Sequence, residues 1–261
     1  MSNNNLVLVT RPKHQAAELV DLLTAKGFKS LVFPSIEIQQ VELSDELKEV
    51  LEKLNENNLI VFVSVNAAQN TAKLMHRLGI KPDSITAKIA TVGKATTSAA
   101  TALGFKVNLS PESGFNSEAL LKLEELQAVN IKGAQCLILR GNGGLAYLAD
   151  ELRKRGARVR YAEVYRRTIP RKDEYISRQD LSNNWNEQQI NVITVTSNES
   201  LQNLYDMLKP PGKNAILETS LIVASQRGVE LAQSLGFKSI TLAQSALNQH
   251  ILEAVEINVN K

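Results

Sequence analysis

The chain has 261 residues, 43% of them hydrophobic and 22% charged, with 30 Lys and Arg against 27 Asp and Glu, a net charge of +3. That length suits one large or two modest domains with a substantial core, and the composition excludes a disordered tail or a fibrous protein. The single cysteine, Cys136, excludes an intrachain disulfide, and the longest apolar runs, such as 59–63, are far too short to cross a bilayer. Met1-Ser2-Asn3-Asn4-Asn5 carries no basic leader, so we expect a soluble cytoplasmic protein. The histidines His14, His76 and His250 have no Cys or His partner at ligand spacing, which predicts no metal.

The predicted elements begin with a strand from Val7 and a helix whose apolar face is Ala16, Leu19, Val20 and Leu23, closed by Lys26-Gly27, with a second strand ending at Phe33. A strand over 59–64 leads into a helix over 66–78. The stretch 89–106 gives a strand and a helix with Thr96, Ala99, Ala100 and Leu103 before Gly104-Phe105-Lys106. The pattern then starts again. Leu145, Leu148, Ala149, Leu152 and Gly156 stand 129 residues after their counterparts in the first helix, and Arg140 stands 129 after Arg11. The second block recurs at 192–208, with Asn198 placed 132 residues after Asn66, and the third at 222–238, with Gly228, Leu231, Ala232, Leu235 and Gly236-Phe237-Lys238.

One helical stripe could match another by chance, but three matches in the same order indicate a repeat. Each copy holds about five short β-rich runs between helices, which predicts two similar α/β domains, each with a flavodoxin-like parallel sheet covered on both faces. Such sheets bind ligands at the strand C-termini, so the candidate positions are the turns Thr10-Arg11-Pro12, Ser64-Val65-Asn66-Ala67, Val92-Gly93-Lys94-Ala95-Thr96, Arg140-Gly141-Asn142-Gly143-Gly144, Thr196-Ser197-Asn198 and Ala224-Ser225-Gln226-Arg227-Gly228. Ser, Thr and Asn are ordinary helix caps, yet hydroxyls, amides and occasional cations at helix starts are also what an anion needs. Six such turns together favour an anionic ligand.

From Arg153 to Lys172 there are nine basic residues, Arg153, Lys154, Arg155, Arg158, Arg160, Arg166, Arg167, Arg171 and Lys172, against the single acid Glu163. A solvated face, nucleic acid or a small polyanion would each explain the run. No stacking aromatics or DNA-reading motif accompany it, which disfavours nucleic acid, and a small polyanion agrees with the turns. Gly141-Asn142-Gly143-Gly144-Leu145-Ala146 also satisfies a dinucleotide fingerprint, with Glu163 downstream. Its repeat partner at Pro12 lacks the glycines, so a nicotinamide-dependent oxidoreductase is a secondary reading, and a non-catalytic two-domain binder of a polyanion is another.

Val9-Thr10-Arg11-Pro12, Phe62-Val63-Ser64-Val65-Asn66-Ala67, Val92-Gly93-Lys94-Ala95-Thr96, Leu139-Arg140-Gly141-Asn142-Gly143-Gly144, Glu163-Val164-Tyr165-Arg166-Arg167 and Val195-Thr196-Ser197, in this order and spacing, resemble the uroporphyrinogen-III synthase family over nearly the whole chain. The resemblance implies a cofactor-independent enzyme of tetrapyrrole biosynthesis, working as a monomer without nucleic acid or membrane. Its implied substrate is hydroxymethylbilane, a linear tetrapyrrole with carboxylate arms and a terminal hydroxymethyl group, received from the preceding pathway enzyme through at most a transient contact. The implied chemistry is loss of the hydroxyl as water, attack at the substituted carbon of the last ring to give a spiro intermediate, then fragmentation and closure with ring D inverted.

The same resemblance divides the chain into a discontinuous domain, 1–36 with 170–261, and an inserted domain, 37–169. They are joined near Pro34-Ser35-Ile36-Glu37 and Val164-Tyr165-Arg166-Arg167 by a two-stranded connector, with a cleft between them. It implies that Tyr165 contacts the departing hydroxyl, although an aromatic that packs the connector would look the same in sequence. Ser64, Thr96, Thr196 and Ser197 match the family's cleft hydroxyls. With Asn66, Gly93, Lys94, Gly141, Asn198 and Ser225 they would bind the carboxylate arms. Arg11 and Arg140 would either join them or tie loops together. Two positions depart from the family pattern: Leu145 stands where members often have Arg, and Ser225-Gln226-Arg227-Gly228 stands where some have Gly-Pro-Thr-Thr.

Overall fold

A computed structural model describes residues 5–114, 116–144, 146–170, 177–185 and 187–259. Met1, Ser2, Asn3 and Asn4 of the N-terminus, Leu145 of the glycine turn, and Arg171 and Lys172 of the basic run lie outside the described residues. The chain divides into two compact units, Met1–Glu37 with Thr168–Lys261, and Ile38–Arg167.

In chain order, the first unit starts with β1 (Leu6–Val9), α1 (Lys13–Ala25) and β2 (Lys29–Val32). At β3 (Glu37–Gln40) the chain enters the second unit, which continues with α2 (Asp45–Glu52), β4 (Leu59–Phe62), α3 (Val65–Arg77), β5 (Lys88–Thr91), α4 (Lys94–Ala102), β6 (Val107–Leu109), α5 (Ser117–Leu120), α6 (Ala128–Ile131), β7 (Gln135–Gly141), α7 (Tyr147–Lys154) and β8 (Arg158–Thr168). The chain then returns to the first unit through α8 (Arg178–Asn183), β9 (Ile190–Val195), α9 (Asn198–Met207), α10 (Gly212–Glu218), β10 (Ser220–Val223), α11 (Gln226–Leu235), β11 (Ile240–Leu242) and α12 (Asn248–Val259).

The first unit is a five-stranded sheet in the order β11-β10-β9-β1-β2, and its pairings are parallel. Numbered along the unit's own chain, that is the 2-1-3-4-5 order of a flavodoxin-like sheet. Its central strands β1, β9 and β10 are buried on both faces, because helices cover both and a strand's side chains alternate between them. Val7 and Val9 pack with Ile222, Ile251 and Val255 on one side, whereas Leu8 packs with Ile193, Leu221 and Val223 on the other.

The second unit is a six-stranded sheet in the order β3-β8-β7-β4-β5-β6. Counting β7 as first and β8 as second reproduces the same order, with β3 added at the edge beside β8. Here too alternate residues serve two cores: Ile60 and Phe62 join Leu137 and Leu139 on one face, and Leu59 and Val61 join Cys136 and Ile138 on the other. Each sheet reverses its strand order at one place, between β1 and β9 in the first unit and between β7 and β4 in the second. The strand ends there are the natural ligand positions of each unit.

Candidate active site

Most of the predicted turn residues start helices. Ser64 Oγ accepts from Ala67 N at 3.1 Å, Ser197 Oγ from Ser200 N at 3.1 Å and Ser225 Oγ from Gly228 N at 3.1 Å. They cap α3, α9 and α11, a use that occupies an acceptor and leaves each hydroxyl proton for another partner. Gly93 caps α4 through its backbone alone, Lys94 is exposed at the first helical position, and Thr96 is buried within the first turn. The Asn66 carbonyl accepts from Asn70 Nδ2 at 2.8 Å, Asn198 Nδ2 donates to the Arg227 carbonyl at 3.2 Å, and Thr196 is half-buried just after β9. Arg11 donates through Nη2 to the Ala246 carbonyl, which ties the end of β1 to the loop before α12. Burial lowers its pKa, with Glu18 opposing.

Within the second unit, a cavity of about 220 Å³ opens beside the β7 to α7 turn. It brings together Ser64, Arg140, Gly141 and Tyr165 from the predicted set and adds Ser117, Tyr161 and Arg167. Asn66, Gly93, Lys94 and Thr96 of the same unit are not among its lining residues. The Tyr165 ring is buried, and its hydroxyl lies 3.1 Å from Ser64 Oγ. A regular β7·β8 ladder would place Val164 opposite Gly141. The register instead shifts after Arg140↔Glu163 so that Gly141 pairs with Tyr165. One extra residue on β8 is a β-bulge, a device that re-aims a side chain. It puts Val164 and Tyr165 inside together, both buried.

Two guanidiniums face this cavity. Arg140 Nε donates to the Gly141 carbonyl at 3.1 Å, and its guanidinium carbon lies 4.7 Å from the centre of the Tyr161 ring, a cation–π stack. Arg167 Nη2 donates to the Asn142 carbonyl at 3.1 Å. With the Ser64, Ser117 and Tyr165 hydroxyls, they make a cavity suited to a carboxylate. The glycine turn lies against one of these guanidiniums: a Cβ at Gly144 would sit 2.7 Å from Arg140 Nη2. The nicotinamide reading is not favoured.

The basic run is chemically divided. Arg155 Nη1 donates to the carbonyls of Leu121 and Leu126 at 2.6 and 2.7 Å, Arg153 pairs with Asp150 at 3.2 Å and Lys154 with Glu151 at 2.6 Å. Arg155 thus ties the end of α7 to the 121–126 segment and Arg153 and Lys154 pair within their own helix, whereas Arg167 faces the cavity beside Arg140, which lies outside the run. Among the described residues, no group of three or more His, Cys, Asp or Glu could hold a metal ion, and no helix is long and apolar enough to cross a membrane. Sequence reasoning missed Ser117, Tyr161 and Arg167 as cavity residues, and Asn142 beside them; Arg167 appeared only within the basic run and the motif that ends on it. Of the other three, only Asn142 left a trace, as the second residue of a glycine motif.

Two related parallel α/β units present hydroxyls, amides and guanidiniums at their strand-to-helix turns. Residues 17–253 match the family model described as "Uroporphyrinogen-III synthase HemD". The chain is 32% identical over 251 residues to the uroporphyrinogen-III synthase of Escherichia coli K12, covering 96% of this chain and 99% of that one. It is 34% identical over 253 residues to that of Salmonella typhimurium, with the same coverage. The chain belongs to the uroporphyrinogen-III synthase family. Its activity is that of a cyclising lyase of porphyrin biosynthesis. Solved structures agree in fold: a mutant uroporphyrinogen III synthase of Thermus thermophilus aligns with a TM-score of 0.64 at 14% identity, covering 98% of this chain and 99% of that one. The Helicobacter pylori 26695 synthetase aligns at 0.63 and 14%, covering 97% and 99%.

Proposed function

We propose that the chain takes hydroxymethylbilane as substrate and that Tyr165 acts at the departing hydroxyl. The observation that carries this reading is the Tyr165 hydroxyl 3.1 Å from Ser64 Oγ, in a polar cavity flanked by Arg140. A phenolic hydroxyl both donates and accepts. With Ser64 as its hydrogen-bond partner, it can give its proton to the hydroxymethyl oxygen as the carbon–oxygen bond breaks and water leaves. Attack at the substituted carbon of the last ring, fragmentation and reclosure then require position more than further proton transfer, because closure without inversion competes in free solution.

The carboxylate arms are taken by the strand-end turns of the two units: Ser64, Asn66, Gly93, Lys94, Thr96, Arg140 and Gly141 in the second, and Thr196, Ser197, Asn198 and Ser225 in the first. Helix-start amides and serine protons supply the hydrogen bonds. Arg11 serves this surface indirectly, by holding the loop before α12. We assign residues 1–36 with 170–261 and 37–169 to two domains, and place the enzyme in the cytoplasm as a monomer.

The test supplies freshly generated hydroxymethylbilane, oxidises the products and identifies the uroporphyrin isomer. Isomer III is expected from the parent chain. Tyr165→Phe should lower kcat by about a hundredfold or more, as expected when one general acid-base group worth about 10²–10⁴-fold is lost, with KM nearly unchanged. Full turnover by Tyr165→Phe would remove the tyrosine from the chemistry.

A further inference from the structure

The end of β7 is shaped around Tyr165. A Cβ built on Gly141 would lie 2.5 Å from Cε2, 2.6 Å from Cζ and 3.0 Å from the hydroxyl oxygen of Tyr165. The ring therefore rests on the Gly141 backbone in space that any other residue would fill with its side chain. The next residue fastens the strand that carries the ring. Asn142 N donates to the Tyr165 carbonyl at 3.2 Å, and Asn142 Oδ1 accepts from Arg167 N at 2.6 Å. The asparagine side chain thus continues a ladder that the bulge has interrupted, and holds β8 on both sides of Arg166. The other copy of the repeat is built differently. Pro12, Lys13 and Ile36 stand 129 residues before Gly141, Asn142 and Tyr165, so the bare glycine backbone, the asparagine and the ring have no counterparts there.

We propose that Gly141 and Asn142 are positioning residues for the reaction. The missing side chain at 141 seats the Tyr165 ring, the Asn142 amide locks the bulged strand beneath it, and together they set the hydroxyl against Ser64. This rests on the assignment of Tyr165 above, and it gives Gly141 a role distinct from binding a carboxylate through its amide. A methyl group at 141 forces the ring out of its seat, and a displacement on the order of 1 Å at a reacting group can cost about a hundredfold in rate.

The experiment is a double-mutant comparison on the full chain, reading kcat, KM and the thermal midpoint of Gly141→Ala, Tyr165→Phe and the double variant. We expect Gly141→Ala to lower kcat by about tenfold or more with KM within about twofold, and to change kcat by less than about twofold once Tyr165 is already Phe, since no hydroxyl is then left to misplace. An unchanged kcat in Gly141→Ala, or the same loss in both backgrounds, overturns the proposal while leaving the Tyr165 assignment intact. Full turnover by Tyr165→Phe alone overturns the assignment and the proposal with it. Asn142→Ala removes the strand lock without touching the ring. It should show the same dependence on Tyr165, and it decides the matter if Gly141→Ala does not fold.

Discussion

Ser64 carries two structural duties with one oxygen. It caps α3 by accepting from Ala67 N and faces the Tyr165 hydroxyl. Ser64→Ala should therefore do two separable things. Loss of the cap should destabilise the protein by about 1 kcal/mol, seen as a lower thermal midpoint, and loss of the tyrosine's partner should lower kcat, by less than Tyr165→Phe because the phenol itself remains. A Ser64→Ala variant that melts earlier but keeps full kcat would confine Ser64 to capping. At this scale the sequence was readable where a residue type has a local job. Serines before helices were legible, and so was a tyrosine in a family motif. The seat of Tyr165 was not, because it depends on a one-residue shift between strands that no spacing records.

At the scale of elements, β7 illustrates how a buried strand tunes a side chain. Cys136 is buried among Leu59, Val61 and Ile138, and burial pushes its thiol pKa from 9.0 up to about 11. Its unfolded form loses the proton first, so between about pH 9 and about pH 11 the native state holds more protons than the unfolded one, and stability must fall with rising pH across that window. Cys136→Ala should flatten that part of the stability profile measured by urea unfolding. The native thiol should react with a disulfide reagent at neutral pH only as fast as the protein opens. The basic run was visible as a composition bias, but the sequence could not divide it. Arg155, spent on two main-chain carbonyls, and Arg167, bonded to the Asn142 carbonyl at the cavity, have the same charge and differ only in what the fold places beside them.

For the molecule as a whole, the Ile38–Arg167 unit has its own six-stranded sheet and a core on each face. A fragment of residues 36–168 should therefore fold cooperatively by itself, as judged by a sigmoidal urea transition and dispersed amide resonances. A fragment of 1–37 should remain unfolded, because β1 finds its other neighbour only in β9 and a two-stranded β1·β2 pair has no sheet to join. The sequence by itself determined that there are two copies of one α/β pattern and placed their main strand-helix blocks, and it raised the expectation of an anion at the strand ends. These follow from the periodicity of apolar residues and from the chemistry of turn residues, which are local. The copies already differ in sequence at Pro12 and Gly141, but tertiary structure alone decided what that difference builds. The bulge in β8, the bare Gly141 backbone and the Asn142 clamp make a cavity in one copy around a tyrosine, because pairing register and close approach are relations between segments distant in the chain.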